Sequence, residues 1–376
     1  MRILISLALL ASSHLYAQPP SAIPAPPAIA AKSWLLYDFD GGQVLASSNP
    51  QQRVEPASLT KLMTAYLVFS ALRDGKIQAD QQVKVSERAA RAEGSRMFIE
   101  PARPVTVDEL MRGMIVQSGN DACIALAEAV SGTEEAFVEA MNREAQRLGM
   151  KNTHFVNSTG LTHSQHYSTA QDIVLLTAAV IRDFPERYAL YSQRQFRYNN
   201  ITQMNRNRLL WSDPTVDGVK TGFTENAGYC LVSSARRGER RVISIVLGAA
   251  SDSARAAESQ KLLNHGFQSY EGVRLYSASQ PVTTIRVWKG TANSLKAGFL
   301  RDFRLAVPRG GSDRLKATLD SVQPLLAPVR AGQRVGTLKL ALDNQPYGEF
   351  PVVALEDVPV AGILGRGWDT IRLFFQ

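Results

Sequence analysis

Apolar residues recur at helical spacing through the middle of this chain. They predict helices at residues 58–72, 107–117, 120–131, 133–148 and 254–267. A capping box that begins at Thr169 predicts one more helix, which extends through Ile181. Most of the chain between residues 58 and 181 is therefore expected to be helical.

Segments with a period of two lie on both sides of these helices. They predict strands at residues 34–38, 43–45, 219–224, 228–235 and 242–249. Strands before and after a run of helices indicate an α+β domain rather than a βαβ repeat. Beyond about Ser277, short alternating segments separated by glycine, proline and asparagine predict a second, small all-β domain.

The two ends of the chain differ in composition from the rest. Residues 1–17 combine a positive start, an apolar stretch and a final small residue, which is typical of a cleaved secretory signal. An uncleaved N-terminal anchor is the alternative. Residues 18–31 form a proline-rich leader. We therefore predict a signal peptide at 1–17, the leader at 18–31, an α+β domain at 32–276 and a β-rich domain at 277–361.

The last segment, residues 362–376, carries an apolar stripe. Leu364, Trp368, Ile371 and Phe375 follow one another at steps of four, three and four residues. A helix of this length is too short to cross a bilayer, but it can lie in the membrane interface. The alternative is a terminal helix that packs on its own domain.

The net charge of the 376-residue chain is +8. No basic run or stacking-aromatic motif accompanies this charge, so we expect no nucleic-acid partner. For an exported protein, anionic lipid headgroups or cell-wall polymers are the expected counterparts.

The cysteines and histidines do not indicate a metal site. Cys123 and Cys230 lack zinc-ligand spacing, and we expect buried thiols rather than a disulfide bridge. His154, His163 and His166 surround one loop, where a structural role is favoured over metal binding. We therefore expect neither a metal nor another cofactor.

The first motif with candidate chemistry is Ser58-Leu59-Thr60-Lys61, at the start of a predicted helix. Positions three apart on a helix face the same way, so a hydroxyl and an amine come within reach of each other. A serine nucleophile needs an adjacent base, and lysine serves as one only when its pKa is lowered. Taken alone, this motif also occurs by chance on many helices.

The second motif is Ser118-Gly119-Asn120. It can be a plain loop that caps the next helix. Its functional interpretation gives Ser118 a role in proton transfer between Lys61 and the leaving group, while Asn120 orients Lys61 and binds a substrate amide.

The third motif is Lys220-Thr221-Gly222, on a strand after the Asp217-Gly218 turn. An exposed strand edge can pair with an extended peptide, and a glycine keeps that approach open. Lys220 and Thr221 are suited to binding a terminal carboxylate. The alternative is an edge-strand lysine that only aids solubility.

Together, these motifs resemble those of the penicillin-recognising serine DD-peptidases and serine β-lactamases. Their flanking residues look like the low-molecular-mass D-alanyl-D-alanine carboxypeptidases of the penicillin-binding protein five and six type. The resemblance covers most of the predicted mature chain. It implies a DD-peptidase domain at 32–276, with an antiparallel sheet, flanking helices and a helical subdomain, then a β-rich domain and a membrane-binding tail.

The resemblance implies that Ser58 is the acylated nucleophile and Lys61 its base. It places Ser118 and Asn120 on one side of the cleft, and it adds the backbone N–H of Ser58 to an oxyanion hole. The implied substrate is the peptidoglycan pentapeptide, which loses its terminal D-alanine. β-Lactams are the implied covalent inhibitors.

The remaining implied site residues bind the substrate. Lys220, Thr221 and Gly222 form the other side of the cleft, and the N–H of Phe223 completes the oxyanion hole. Arg206 matches a family arginine that helps to hold the substrate carboxylate, and Arg255 is a weaker candidate for the same role. A solvated surface arginine is the alternative in both cases.

Several activities fit the same motifs. DD-endopeptidase and β-lactamase activity are alternatives within the superfamily, and a non-catalytic wall-binding scaffold is an alternative outside it. The loop from Phe155 to Asp172 contains no glutamate, so we expect slow turnover of a penicillin adduct. The implied location is the periplasmic face of the inner membrane, with peripheral attachment through the tail.

Overall fold

The structure, a computed structural model, describes residues 23–362. The predicted signal at residues 1–17 and the tail beyond Gly362 lie outside the described residues. Within residues 23–362, none of the helices has the length and apolar character needed to cross a membrane.

A five-stranded antiparallel sheet organises the first domain. The strands of this domain are β1 (Ser33–Asp38), β2 (Gln43–Ser48), β3 (Gln82–Val83), β4 (Val105–Thr106), β5 (Gln195–Tyr198), β6 (Ile201–Met204), β7 (Val216–Thr224), β8 (Gly228–Arg237) and β9 (Arg240–Ala249). The order in the main sheet is β2-β1-β9-β8-β7, and β3–β4 and β5–β6 form two separate pairs. Strand β7 therefore lies at an edge of the main sheet.

The helices of this domain lie on both faces of the sheet. They are α1 (Lys61–Arg73), α2 (Glu87–Ala90), α3 (Val107–Arg112), α4 (Asn120–Ser131), α5 (Glu134–Arg147), α6 (Ala170–Asp183), α7 (Pro185–Tyr188), α8 (Leu209–Ser212) and α9 (Asp252–Ser269). Alternation along β9 places Val242 and Val246 against α9, while Ile243 and Ile245 face the core around α1. The predicted α+β class is confirmed.

Helix α1 is buried on nearly all sides. Its buried residues include Leu62, Met63, Tyr66 and Phe69, which belong to the largest hydrophobic core. A helix that is apolar all round is expected at the centre of a domain. This position fixes Lys61, at its first turn, in the interior.

The second domain is built almost entirely from strands. They are β10 (Tyr270–Tyr276), β11 (Pro281–Trp288), β12 (Ser294–Gly298), β13 (Phe303–Pro308), β14 (Leu315–Ser321), β15 (Leu325–Leu326), β16 (Arg334–Leu342) and β17 (Gln345–Ala354). Six of them form a sheet in the order β14-β16-β17-β12-β11-β15, and β10 pairs with β13. This domain has its own hydrophobic core, so the predicted small all-β domain is confirmed.

Arg240 joins the two domains. Its guanidinium donates to Asp38 at 2.7 Å and to the carbonyls of Gly266 and Tyr270 at 2.7 and 2.8 Å. The Arg240 side chain is largely removed from water, and a charged group in that state is stable when a carboxylate and several acceptors surround it. The predicted boundary between residues 276 and 277 stays a prediction.

The two cysteines behave as expected from the sequence. Cys123 and Cys230 are both free and buried, so the preference for buried thiols over a bridge is confirmed. Among residues 23–362, no group of three or more potential ligand residues is arranged to hold a metal ion.

Candidate active site

A cleft of about 840 Å³ lies between strand β7 and the helical part of the first domain. One side, which we call the helical wall, consists of Ser95, Ser118, Asn120 and Thr159. The opposite side, which we call the strand wall, consists of Thr221, Gly222 and Phe223. Ser58 lies in the same cleft, so the structure brings the three motifs together.

The amine of Lys61 has three oxygen neighbours. Its Nζ lies 3.0 Å from Ser58 Oγ, 2.7 Å from Asn120 Oδ1 and 2.6 Å from the carbonyl oxygen of Thr159. The contact with Ser58 results from the three-residue spacing across the start of α1. The other two contacts fix the direction of the amine toward the Ser58 hydroxyl.

Burial lowers the pKa of Lys61 to about 8. Arg206 acts in the same direction, because a nearby positive charge disfavours a second one, while the Cys123 thiol has the opposite effect. A substantial fraction of this amine is therefore neutral near pH 8, and only the neutral form can accept a proton.

Two glycines allow the Ser58 segment to pack closely. At Gly160, which has a φ of +87°, a Cβ would lie 1.8 Å from the Ala57 carbonyl oxygen. At Gly222, a Cβ would lie 3.1 Å from the Pro56 carbonyl oxygen and 3.3 Å from the Ser58 nitrogen. Gly222 therefore allows close approach of β7 to the segment around Ser58.

Ser118 follows a single π-helical turn, Gly113–Gln117, and adopts a left-handed conformation with a φ of 68°. A non-glycine residue with positive φ is uncommon and often marks a functional site. The Ser118 hydroxyl is buried and has no hydrogen-bond partner among the described residues. It is therefore available to a group that enters the cleft.

Asn120 connects the base to the neighbouring loop. Its Oδ1 accepts from Lys61, and its Nδ2 donates to the carbonyl of Glu93 at 2.6 Å. Both ends of the amide are thus engaged, which fixes the orientation of the side chain. This contact agrees with the predicted role of Asn120 in orienting Lys61.

Lys220 is buried behind the strand wall. Burial, together with the positive charges of Lys61, Arg206 and Arg255, lowers the pKa of Lys220 well below its usual range. Its Nζ donates to the carbonyl of Thr221 at 3.1 Å. No carboxylate of residues 23–362 forms an ion pair with it, so an incoming anion would meet an uncompensated site.

Phe223 and Arg206 also line the cleft. The Phe223 ring is half exposed and lies 4.4 Å from the ring of Tyr229, centre to centre. Arg206 faces the cleft near both lysines, as its effects on their pKa values show. Both side chains are therefore placed where a substrate can contact them.

Arg255 is buried, which excludes the alternative of a solvated surface arginine. Its guanidinium donates to the carbonyl of Gly222 at 3.0 Å and pairs with Asp252. These contacts support the strand wall from behind. The sequence did not show this position because the partner carbonyl belongs to a distant strand.

Sequence reasoning missed two groups that position the helical wall. The carboxylate of Asp121 accepts from the backbone N–H groups of Met97, Phe98 and Ile99 at 2.8–3.2 Å, which holds the loop in front of α4. The buried Glu134 carboxylate accepts from the N–H and hydroxyl of Ser158, next to the Thr159 carbonyl. An aspartate directly after the second motif was the available signal for the first group.

His166 has the structural role that the sequence favoured. Its Nδ1 accepts from the N–H of Val156 at 3.1 Å, so its Nε2 carries the proton and donates to Thr60 Oγ1 at 2.8 Å. Burial lowers the pKa of His166 to about 4, which keeps the ring neutral. This residue therefore ties the loop that carries Thr159 to the start of α1.

Residues 21–251 match the family model of the D-alanyl-D-alanine carboxypeptidases, a serine peptidase family. This match covers more than half of the chain. The chain belongs to this family. Residues 270–360 of this family member also match the model of the C-terminal domain of penicillin-binding protein 5.

Curated members of the carboxypeptidase family match along nearly the whole chain. D-alanyl-D-alanine carboxypeptidase DacC of Escherichia coli is 42% identical over 358 residues, which cover 93% of this chain and 90% of the relative. DacA of Haemophilus influenzae is 41% identical over 354 residues, with 93% and 90% coverage. The similarity therefore includes both domains.

Solved structures of penicillin-binding proteins are also similar to this chain. Penicillin binding protein 5 from Haemophilus influenzae has a TM-score of 0.84 and 41% identity, and the match covers 89% of this chain and 99% of that one. Penicillin-binding protein D2 from Listeria monocytogenes, solved in an ampicillin-bound form, has a TM-score of 0.59 and 33% identity over 64% of this chain and 98% of that one.

Proposed function

We propose that this enzyme is a serine-type D-Ala-D-Ala carboxypeptidase in which Ser58 is the nucleophile and Lys61 the general base. One observation carries the assignment of these two residues. The Lys61 amine, with its pKa lowered to about 8, lies 3.0 Å from the Ser58 hydroxyl. A neutral amine at this distance is placed to accept the hydroxyl proton.

The reaction then follows in two stages. Lys61 takes the proton of Ser58 while Oγ attacks the carbonyl between the two D-alanines, and the backbone N–H groups of Ser58 and Phe223 bind the resulting oxyanion. The C–N bond breaks, and the leaving amine receives a proton through Ser118. Water then attacks the ester, Lys61 accepts a proton from it, and Ser58 is regenerated.

Substrate binding is assigned to the strand wall and to the cations beside it. An extended peptide pairs with the edge of β7 at Thr221, Gly222 and Phe223. Its terminal carboxylate lies toward Arg206 and Lys220, where positive charge is in excess. Asn120 binds a substrate amide in addition to Lys61.

A β-lactam acylates Ser58 in the same way, and the adduct is expected to persist. Among the described residues that line the cleft, Asp252 is the single carboxylate, and it pairs with Arg208 and Arg255. No carboxylate there is free to activate a water, which disfavours β-lactamase activity. Labelled penicillin should therefore remain bound through denaturing electrophoresis, and rapid loss of the label would contradict this expectation.

The assay that tests the activity is release of D-alanine from a diacetyl-Lys-D-Ala-D-Ala peptide. We expect release by the wild-type enzyme and none by Ser58→Ala. Release from a D-alanine cross-link instead would favour an endopeptidase. A protein that neither releases D-alanine nor takes up penicillin would favour the non-catalytic scaffold.

We also propose export through the segment 1–17 and peripheral attachment through residues 362–376 to the periplasmic face of the inner membrane. The apolar stripe of the tail and the net charge of +8 support this location. Deletion of residues 362–376 should release active enzyme into the soluble fraction. If the shortened enzyme still sediments with membranes, the tail is not the anchor.

A further inference from the structure

Glu55 lies beside one end of the cleft, next to the lining residue Thr224. Its carboxylate accepts from the hydroxyls of Thr162 and Thr224 at 3.0 Å each and from the amide of Asn226 at 3.0 Å. Thr224 lines the cleft at the end of β7, and Thr162 follows Leu161 on the loop opposite. Glu55 therefore lies where the loop and the strand wall meet.

This carboxylate is not neutralised by the protein. Among residues 23–362, no lysine, arginine or histidine forms an ion pair with Glu55, although 20 ion pairs are present elsewhere in that part of the chain. The three hydrogen bonds come from neutral donors, which orient the carboxylate but leave its charge uncompensated. A carboxylate in this state can pair with a cation that arrives with a ligand.

Four arginines give the lining of the cleft an excess of positive charge. The cleft is lined by Arg96, Arg206, Arg208 and Arg255, and the one lining carboxylate, Asp252, is already paired with two of them. Arginines therefore make the cleft cationic, and the Glu55 carboxylate adds negative charge beside one end of it. A substrate with a carboxylate at one end and an ammonium further along matches this polarity.

The register along β7 indicates which part of the substrate reaches Glu55. Gly222 lies level with Ser58, because its Cβ position is 3.3 Å from the Ser58 nitrogen. Thr224 lies two residues, or about 7 Å, further along the strand. A peptide whose terminal carboxylate points toward Lys220 therefore places the residue before the two D-alanines beside Phe223 and Thr224.

We propose that Glu55, Leu161 and Phe223 form the subsite for the third residue of the peptide and select a diamino acid with a free side-chain amine. Leu161 and Phe223 are exposed in the cleft and offer apolar contact to the methylenes of such a side chain. The four-carbon stem of a lysine spans that contact and carries its ammonium to the rim. This inference rests on the proposed carboxypeptidase function.

The test compares two peptides that differ only in this charge. They are Nα-acetyl-Lys-D-Ala-D-Ala, with a free side-chain amine, and diacetyl-Lys-D-Ala-D-Ala, in which the amine is acylated. The ratio of their kcat/KM values is measured for the wild type, for Glu55→Gln and for Glu225→Gln. Glu225 is an exposed acid one residue beyond Thr224, and its substitution removes the same charge outside the subsite.

We expect the wild type and Glu225→Gln to prefer the free amine by about threefold to fivefold, as for a solvent-exposed ion pair. Glu55→Gln should bring the ratio to about one, and 0.5 M salt should reduce the wild-type preference. Equal losses on both peptides with the ratio retained, or no preference in the wild type, would overturn the subsite. If the wild type releases D-alanine from neither peptide, the proposed function itself fails.

Discussion

A lysine is buried on each side of the cleft, but the two amines differ in the number of oxygen acceptors around them. On the side of the helical wall, Lys61 is within 3.0 Å of three oxygen acceptors before any substrate binds. Behind the strand wall, Lys220 has one carbonyl at 3.1 Å among the described residues. The first amine is positioned for proton transfer in the free enzyme, whereas the second lacks an anionic partner until a carboxylate arrives.

This difference matters because two lysine amines share one small site. Burial lowers the pKa of both amines, and the positive charges of Lys61 and Arg206 lower that of Lys220 further. A base needs a lowered pKa, so burial and the nearby charge of Arg206 favour the function of Lys61. A bound carboxylate would favour the charged form of Lys220 and so raise the pKa of this amine.

The largest expected effect comes from removing the base. Lys61→Gln should reduce kcat/KM for D-alanine release by about 10²–10⁴-fold, the usual contribution of a positioned general base. The same substitution should also lower the rate at which penicillin acylates Ser58, because both reactions use the same proton acceptor. Acylation at the wild-type rate would show that another group deprotonates Ser58.

The next effect concerns the loop behind the helical wall. His166 has a folded pKa of about 4 against an ordinary value of 6.5, so the unfolded chain binds a proton that the folded protein does not. The free energy of unfolding should therefore fall by about 3 kcal/mol as the pH drops from 6.5 to 4, and this contribution should be constant above pH 6.5.

Denaturant unfolding at a series of pH values measures this effect. The matched variant is His166→Gln, which lacks the titrating ring. Its free energy of unfolding should not show the decrease between pH 6.5 and pH 4 that this ring causes. His163, which is exposed, serves as the control when it is substituted in the same way. An identical slope in wild type and His166→Gln would contradict the assignment.

The smallest expected effect lies on the other side of the cleft. Lys220→Met should raise KM for D-alanine release about tenfold, as for the loss of one charged contact to a bound carboxylate. It should not lower the free energy of unfolding, because it removes a buried amine that lacks an anionic partner. Lys61→Met, by contrast, should destabilise the fold, since Asn120 and Thr159 then lose a donor.

The sequence allowed prediction of the parts of the site that depend on local spacing. Ser58 and Lys61 are three residues apart on one helical turn, and Lys220 lies on a strand with clear alternation. The α+β class and the all-β second domain followed from the same periodicities. These features depend on neighbours in the chain, so one sequence was sufficient.

The parts that were missed depend on contacts between distant segments. The Thr159 carbonyl binds Lys61 from 98 positions away, and a backbone carbonyl has no residue signature. The strand pair β5–β6 was also missed. The π-helical turn before Ser118 was missed because the helical pattern of residues 107–117 continues through it. Gly222 was attributed to substrate access alone, although it also packs against the Ser58 segment.

The central claim is that a neutral Lys61 amine deprotonates Ser58. The most direct measurement is the rate of Ser58 acylation by labelled penicillin between pH 5 and pH 10. The account predicts a rate that rises with pH and levels off above an apparent pKa of about 8. A midpoint near 6.5, typical of a histidine base, or a rate independent of pH over this range would contradict it.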